Sequence, residues 1–278
     1  MKTQMSRLPA VLIAMAAAWT LAGFCGSTQA GMEVQGRLYL KNDPRPKEGK
    51  IRALPGFNKY VVTTMVGNNP VAVEIEGFRV ERVEVAKPAD LDKTIRQVQT
   101  QPAAAIPALK KIMEDYVWLN WDMVAARYLL DAYLKSGQAS KAVETANQII
   151  GQNRMAVDNA DFLTAYVDAM VADNKESGVE NILTEAIKKG GRDIAAVAYV
   201  KRGNILKKKG NAKEALVEGY LRVTEMFQEQ KDAQPEALYQ AAKCFEELGM
   251  GTQAERMRTR LRSSQFAGSP WVEKLTGK

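Results

Sequence analysis

Residues 31 to 87 alternate short apolar runs with polar and turn-forming residues. Such alternation is typical of β-strands that bury one face. The sequence predicts five strands, at Glu33–Leu40, Lys50–Leu54, Lys59–Met65, Val71–Glu76 and Phe78–Val85. In the fourth strand the odd positions are apolar, so we expect one buried face. In the fifth strand Phe78 and Val80 fall on one face, whereas Val83 and Val85 would fall on the other. A β-bulge near Glu81-Arg82 would bring them to the same face, so the pattern predicts one there.

Five short strands in about 55 residues predict a small, partly open antiparallel barrel of the SH3-like kind. After Lys87-Pro88 the pattern changes, because apolar residues now recur at three- and four-residue spacing, as in helices. We therefore expect a β domain over residues 31–87 and an α-helical domain over residues 88–278.

Glycine and proline breaks divide the second region into about ten helices. Neighbouring helices pair naturally into five antiparallel hairpins. The predicted pairs are Leu91–Thr100 with Ala103–Tyr116, Asp122–Leu134 with Ser140–Ile150, Asn159–Ala172 with Val179–Lys188, Ile194–Lys209 with Ala212–Phe227, and Glu236–Leu248 with Thr252–Arg262.

Three of these pairs share a signature in which a glycine is followed five residues later by an alanine. The pairs are Gly137 with Ala142, Gly210 with Ala215, and Gly249 with Ala254. A glycine suits a helix end where φ must be positive. An alanine suits a close contact between two helices.

This signature resembles the tetratricopeptide repeat, with the best match over Glu236–Leu261 and a weaker copy through Gly178 and Leu183. The alanine spacing of 73 and then 39 residues, or 41, 32 and 39 with Leu183 included, departs from the family spacing of about 34. The order of a β module and then helices is similar to that of exported bacterial repeat proteins without an assigned activity. The resemblance implies a right-handed stack of hairpins.

The family binds extended peptides or partner helices on the concave face formed by the first helix of each hairpin. Its groove positions, carried onto the matching units, are Arg127, Asp131 and Leu134, then Val200, Asn204 and Lys207, then Tyr239, Lys243 and Glu246. The alternative is that these residues form an ordinary solvated helix face. Tyr116, Trp118 and Trp121 are expected to pack between the first two hairpins. The alternative is a site on which a peptide or glycan stacks.

The first 30 residues resemble a secretory signal peptide cut after Ala30, with Lys2 and Arg7 before an apolar run. A retained membrane anchor and a lipid-modified Cys25 are the alternatives. Export to the periplasm or cell envelope follows from the first interpretation. Removing Lys2 and Arg7 would lower the formal charge from +7 to +5. This mild excess favours a soluble surface over nucleic-acid binding.

The sequence contains no histidine, and Cys244 is the one cysteine after residue 30. Serine–histidine and cysteine–histidine catalysis are therefore excluded, as are ordinary zinc sites. No phosphate-binding glycine loop or nucleophile elbow is present, so neither an enzyme nor a cofactor is expected. Three functions remain open: a protein-binding scaffold, a structural component attached to wall or membrane through its β module, and an enzyme of unrecognised type.

Overall fold

The computed structural model describes residues 31–276, so the predicted leader lies outside the described residues. Its first part is a five-stranded antiparallel sheet with strand order β4-β3-β2-β1-β5. The strands are β1 Val34–Leu40, β2 Asp43–Leu54, β3 Lys59–Val66, β4 Asn69–Glu76 and β5 Val80–Val85. All five predicted strands are present, although β2 begins seven residues earlier than expected.

The predicted β-bulge is confirmed on β5. Tyr39 pairs with Arg82 and Leu40 pairs with Val80, which leaves Glu81 without a partner on β1. Val83 does not continue the alternating apolar pattern of Phe78 and Val80. The bulge nevertheless turns the Val83 side chain toward the core. Val83 is only 5% exposed and pairs with the fully buried Leu38.

The prediction of a fully buried face on β4 is wrong. Ile75 is buried, but Val71 and Val73 are 42% and 51% exposed. The reason is that β4 forms one edge of the sheet, and no element covers its first six residues. Because β4 and β5 are not hydrogen-bonded to each other, the sheet is open.

Residues 91 to 276 are mostly helical. The helices are α1 Leu91–Thr100, α2 Pro102–Asp115, α3 Trp121–Lys135, α4 Ala139–Gln152, α5 Ala160–Ala172, α6 Glu176–Lys189, α7 Arg192–Lys208, α8 Ala212–Ala215, α9 Leu221–Met226, α10 Gln234–Glu247, α11 Gly251–Leu261 and α12 Pro270–Thr276. A π-helical turn over Leu216–Tyr220 joins α8 to α9. The ten predicted helices are present within a few residues, whereas the short α12 was not predicted.

Consecutive helices pack against each other. In addition, the first helix of one hairpin packs against the first helix of the next hairpin. Helix α3 packs against α5, α5 packs against α7, and α7 packs against α10. We call α3, α5, α7 and α10 the inner helices. Between residues 31 and 276, no comparably extensive contact joins α4, α6, α9 and α11 to one another.

The sheet and the first helices share one continuous hydrophobic core. Within residues 31–276, three side-chain hydrogen bonds connect the strands to the segment that leads into α3. Tyr60 Oη donates to the Trp118 carbonyl (3.2 Å), Asn120 Nδ2 to the Val83 carbonyl (2.8 Å), and Trp121 Nε1 to the Val85 carbonyl (3.2 Å). Trp118 and Trp121 pack against this core, and both also form hydrogen bonds with the sheet.

No helix between residues 31 and 276 is both long enough and apolar enough to span a membrane.

Candidate functional site: the inner helix face

The turns after the inner helices repeat one backbone geometry. Gly137, Gly210 and Gly249 have φ angles of +72°, +83° and +72°. In each turn the N–H of the next residue donates to the carbonyl of the fifth residue before it. These bonds run from Gln138 to Tyr133 (2.8 Å), from Asn211 to Leu206 (3.0 Å), and from Met250 to Phe245 (2.8 Å). The predicted positive φ at the three glycines is confirmed.

A fourth turn of this kind follows α5, and asparagine takes the place of glycine in it. Asn174 has a φ of +56°, and the Lys175 N–H donates to the Met170 carbonyl (2.9 Å). The predicted copy through Gly178 is therefore wrong, because Gly178 lies inside α6. Asparagine tolerates positive φ better than most other residues with a side chain.

With Asn174 in place of Gly178, the four turns become evenly spaced. The turn residues at 137, 174, 210 and 249 are 37, 36 and 39 residues apart. The residue five positions after each turn is buried. Ala142, Ala215 and Ala254 are 0% exposed, and Val179 is 1% exposed. The three alanines are thus fully buried, as a close contact between the two helices of a hairpin requires.

In the first unit, all three predicted groove residues lie on α3 and are partly exposed. The Arg127 guanidinium lies 4.6 Å from the centre of the Tyr128 ring. The Asp131 carboxylate lies 3.9 Å from Lys135 Nζ, which also donates to Gln99 Oε1 of α1. Leu134 is half-buried in the core. This part of the face therefore presents one cation, Arg127, and one anion, Asp131, and the contacts described for each are with neighbouring side chains of α3.

Asn204 is occupied by contacts inside the protein. Its Nδ2 donates to Glu236 Oε1 on α10 (2.8 Å), and its Oδ1 accepts a hydrogen bond from the fully buried Tyr220 hydroxyl (2.9 Å). Burial raises the pKa of that tyrosine, so the hydroxyl remains a donor. Asn204 therefore links α7, the π-helical turn and α10 through one amide N–H and the amide oxygen.

Lys207 also joins two inner helices. Its Nζ donates to Gln240 Oε1 (3.1 Å) and lies 3.5 Å from Glu247 Oε1. Val200 is only 3% exposed and belongs to the core, which corrects its assignment to the groove.

The last unit contains the most accessible predicted cation. The Lys243 side chain is 49% exposed and lies 3.4 Å from Glu246, which also contacts Arg258. The neighbouring Tyr239 ring lies 5.3 Å from the Trp271 ring of α12. Helix α12 therefore partly covers the face at Tyr239 but leaves Lys243 open.

Sequence reasoning missed Asp168, because the repeat around it was aligned on the wrong residue. It lies six residues before Asn174, as Asp131 lies six before Gly137. Both Asp168 carboxylate oxygens accept hydrogen bonds from Lys201 Nζ on α7 at 2.8 Å. The Asp168 side chain is 50% exposed, whereas that of Lys201 is only 11% exposed.

Polar links thus cross each boundary between successive inner helices from α5 to α10. Asp168 pairs with Lys201 between α5 and α7, and Asn204 pairs with Glu236 between α7 and α10. The side chains left accessible are charges of both signs. An arrangement of this kind can bind polar and charged groups of another chain. Among residues 31–276, no group of three or more His, Cys, Asp or Glu side chains is placed to hold a metal ion.

No family model matches the chain, and no curated protein matches its sequence. Two solved structures are similar to it, one of a mutant of MamA and one of MamA MSR-1 C2. Both are 17% identical, with TM-scores of 0.34 and 0.36. The similarity covers 61% of this chain and 92% and 95% of theirs. At these values the likeness carries no argument about function.

Proposed function

We propose that this protein is an exported, non-enzymatic scaffold that binds another protein through its inner helix face. The observation that carries the proposal is the recurrence of one turn geometry at Gly137, Asn174, Gly210 and Gly249, each followed five residues later by a buried alanine or valine. Such recurrence is typical of a stack of tetratricopeptide-like hairpins, which bury a continuous core and leave a concave surface.

The contacts between helices support a stack that curves toward the inner helices. The inner helices pack on one another, whereas the second helices do not do so to a comparable extent. Helices on the shorter side of a curved stack lie closer together. In our proposal the five hairpins form a right-handed stack whose concave side is lined by α3, α5, α7 and α10.

The partner in this proposal is a chain with charges of both signs. Arg127 and Lys243 supply cations, and Asp131 and Asp168 supply partly exposed carboxylates. Lysine and arginine form strong, charge-assisted hydrogen bonds with carboxylates. A peptide or helix that carries alternating charges would therefore be held at several points along the face.

We also propose export, supported by the signal-like pattern of residues 1–30.

The sheet is proposed to be an SH3-like module, because the meander from β1 to β4 and the return of β5 to β1 are compatible with that fold. Its close attachment to α2 and α3 through Tyr60, Asn120 and Trp121 supports a role as a rigid cap for the stack.

In-cell crosslinking followed by affinity capture tests the scaffold proposal. The test variant carries Arg127→Glu and Lys243→Glu, which reverse two partly exposed cations of the inner helices. The control carries Lys213→Glu and Arg256→Glu, which make the same charge change on exposed residues of α8 and α11. Asn204 is left intact, because its contacts are internal.

The proposal expects one envelope protein to be captured by the wild type and by the control, and to be lost in the test variant. Equal capture by both variants would exclude the inner helix face. Fractionation of the protein with the wall or membrane, without a captured partner, would instead support the structural role. A circular dichroism spectrum of each variant verifies that the helices are retained.

A further inference from the structure

The hairpin formed by β3 and β4 extends beyond the core and carries an apolar tip. Met65 and Val66 are each 64% exposed, and Val71 and Val73 are 42% and 51% exposed. Monomeric proteins rarely leave a contiguous apolar surface uncovered without a function for it. The segment from Thr63 to Val73 contains no charged residue.

Within residues 31–276, no strand is hydrogen-bonded to the outer edge of β4. The strand pairs with β3 on one side and makes no comparable contact with any other element. Edge strands are commonly protected by lysines, by prolines or by covering elements. The first six residues of β4, Asn69 to Glu74, are exposed, and among them only Pro70 and the charged Glu74 are of a protective type. The edge is therefore available for pairing with another strand.

We propose that β4 pairs with the β4 strand of a second copy of this chain, antiparallel and around a two-fold axis at Ala72. In this register Ala72 lies opposite itself, and Val71 of each copy lies opposite Val73 of the other. The two five-stranded sheets join into one, and four exposed valine side chains cover each other. Cross-strand pairs of β-branched residues stabilise a sheet.

Charge supports a second copy as the occupant. Glu74 and Glu76 are bound by Lys59 of their own chain, with Nζ–O distances of 2.9 and 3.6 Å. In the proposed register Glu74 lies opposite Pro70, so no two carboxylates face each other. An anionic membrane surface fits less well, because the hairpin tip offers no lysine or arginine to the head groups.

Disulfide trapping tests the register. Ala72→Cys is introduced into the full chain with Cys25→Ser, while the native Cys244 is buried and stays in place. Opposed residues on antiparallel strands have Cα atoms about 4.5–5.5 Å apart, within the range that a disulfide spans. The matched control is Glu74→Cys on the same face of the same strand. In this register the Cα atoms of its two copies would be about 14 Å apart, because they are offset by four residues along neighbouring strands.

The proposal expects mild oxidation to convert most Ala72→Cys protein to a covalent dimer, and the yield for Glu74→Cys to be at least tenfold lower. Adding Val73→Lys to the Ala72→Cys chain is expected to abolish the dimer, whereas adding Val217→Lys on the π-helical turn leaves it unchanged. Equal yields for the two cysteines, or no dimer at any protein concentration, would overturn the proposal. Binding to anionic vesicles without Ala72 crosslinking would also overturn it.

Discussion

Gly219 lies directly against Gly203, so closely that a Cβ atom on Gly219 would be 2.5 Å from the Gly203 Cα atom. The contact joins α7 to the π-helical turn of Leu216–Tyr220. The π turn inserts one extra residue into the helix, and the neighbouring Tyr220 ring packs over Gly203. Two glycines therefore determine how closely the fourth hairpin closes.

Gly219→Ala is expected to destabilise the protein, because the added methyl group meets backbone atoms that cannot move aside. Overpacking of this kind costs about 1–3 kcal/mol. Chemical denaturation measures the loss. Gly151→Ala in α4 is the control, because a Cβ there meets no atom within 4 Å. The control is expected to be neutral or to stabilise by about 0.5–1 kcal/mol. Equal stability of the two variants would show that the contact between Gly219 and Gly203 can accommodate a methyl group.

Asn174→Ala is expected to lower the free energy of unfolding by about 1–2 kcal/mol, because alanine adopts positive φ poorly. Asn174→Gly should be at least as stable as the wild type. Thermal unfolding of the two variants measures the difference.

Gly178→Ala tests the rejected alignment. Its Cβ would meet only the terminal methyl group of Met170, a flexible side chain that can move. A small effect is therefore expected. If Gly178→Ala is more damaging than Asn174→Ala, the reassigned repeat is wrong.

These positions show why the sequence predicted most of the fold. Helix and strand limits follow from apolar periodicity, which is local, and ten helices were placed within a few residues. The turn at Asn174 was missed because glycine was taken as its marker, whereas the physical requirement is a positive φ. The exposure of Val71 and Val73 could not be predicted, because it depends on which strand forms the sheet edge.

The candidate site was predicted less well for a similar reason. Repeat spacing places Asn204 and Lys207 on the correct helix, but spacing does not reveal their partners. Both side chains are bound to α10, through Glu236 and Gln240. Only the three-dimensional contacts separate side chains that connect helices from those that remain accessible, such as Lys243.

Asn204→Ala is expected to destabilise the protein by about 1–3 kcal/mol, because it leaves the buried Tyr220 hydroxyl without its acceptor. Lys243→Ala should change the free energy of unfolding by less than about 0.5 kcal/mol, since that side chain is half exposed. Urea unfolding of both variants tests the distinction between the internally bonded Asn204 and the accessible Lys243. Similar losses in the two would contradict it.

Asp122 is expected to make stability fall as pH rises. Burial raises the pKa of its carboxyl above the ordinary value of 3.8, although the Trp118 N–H donates to it at 2.8 Å. The folded protein therefore keeps this proton to higher pH than the unfolded chain. Its contribution is present below pH 3.8 and is lost as pH rises through the folded pKa. Asp122→Asn removes this titration and keeps an oxygen acceptor.

The measurement is the difference in free energy of unfolding between wild type and Asp122→Asn across the acidic to neutral pH range. The variant should gain relative stability as pH rises. Asp173→Asn is the control with the opposite sign, because hydrogen bonds from Lys175 and Ser140 lower the pKa of Asp173. That variant should lose relative stability as pH rises from the folded pKa of Asp173 to its ordinary value. If the relative free energy of unfolding changed with pH in the same direction for both variants, the opposite pKa shifts inferred for Asp122 and Asp173 would be contradicted.

Hydrogen–deuterium exchange of the protein with its captured partner tests the scaffold proposal most directly. The proposal predicts that binding slows exchange in peptides from α3, α5, α7 and α10, and leaves α4, α6 and α11 unchanged. Protection confined to the second helices or to the sheet would contradict binding through the inner helix face.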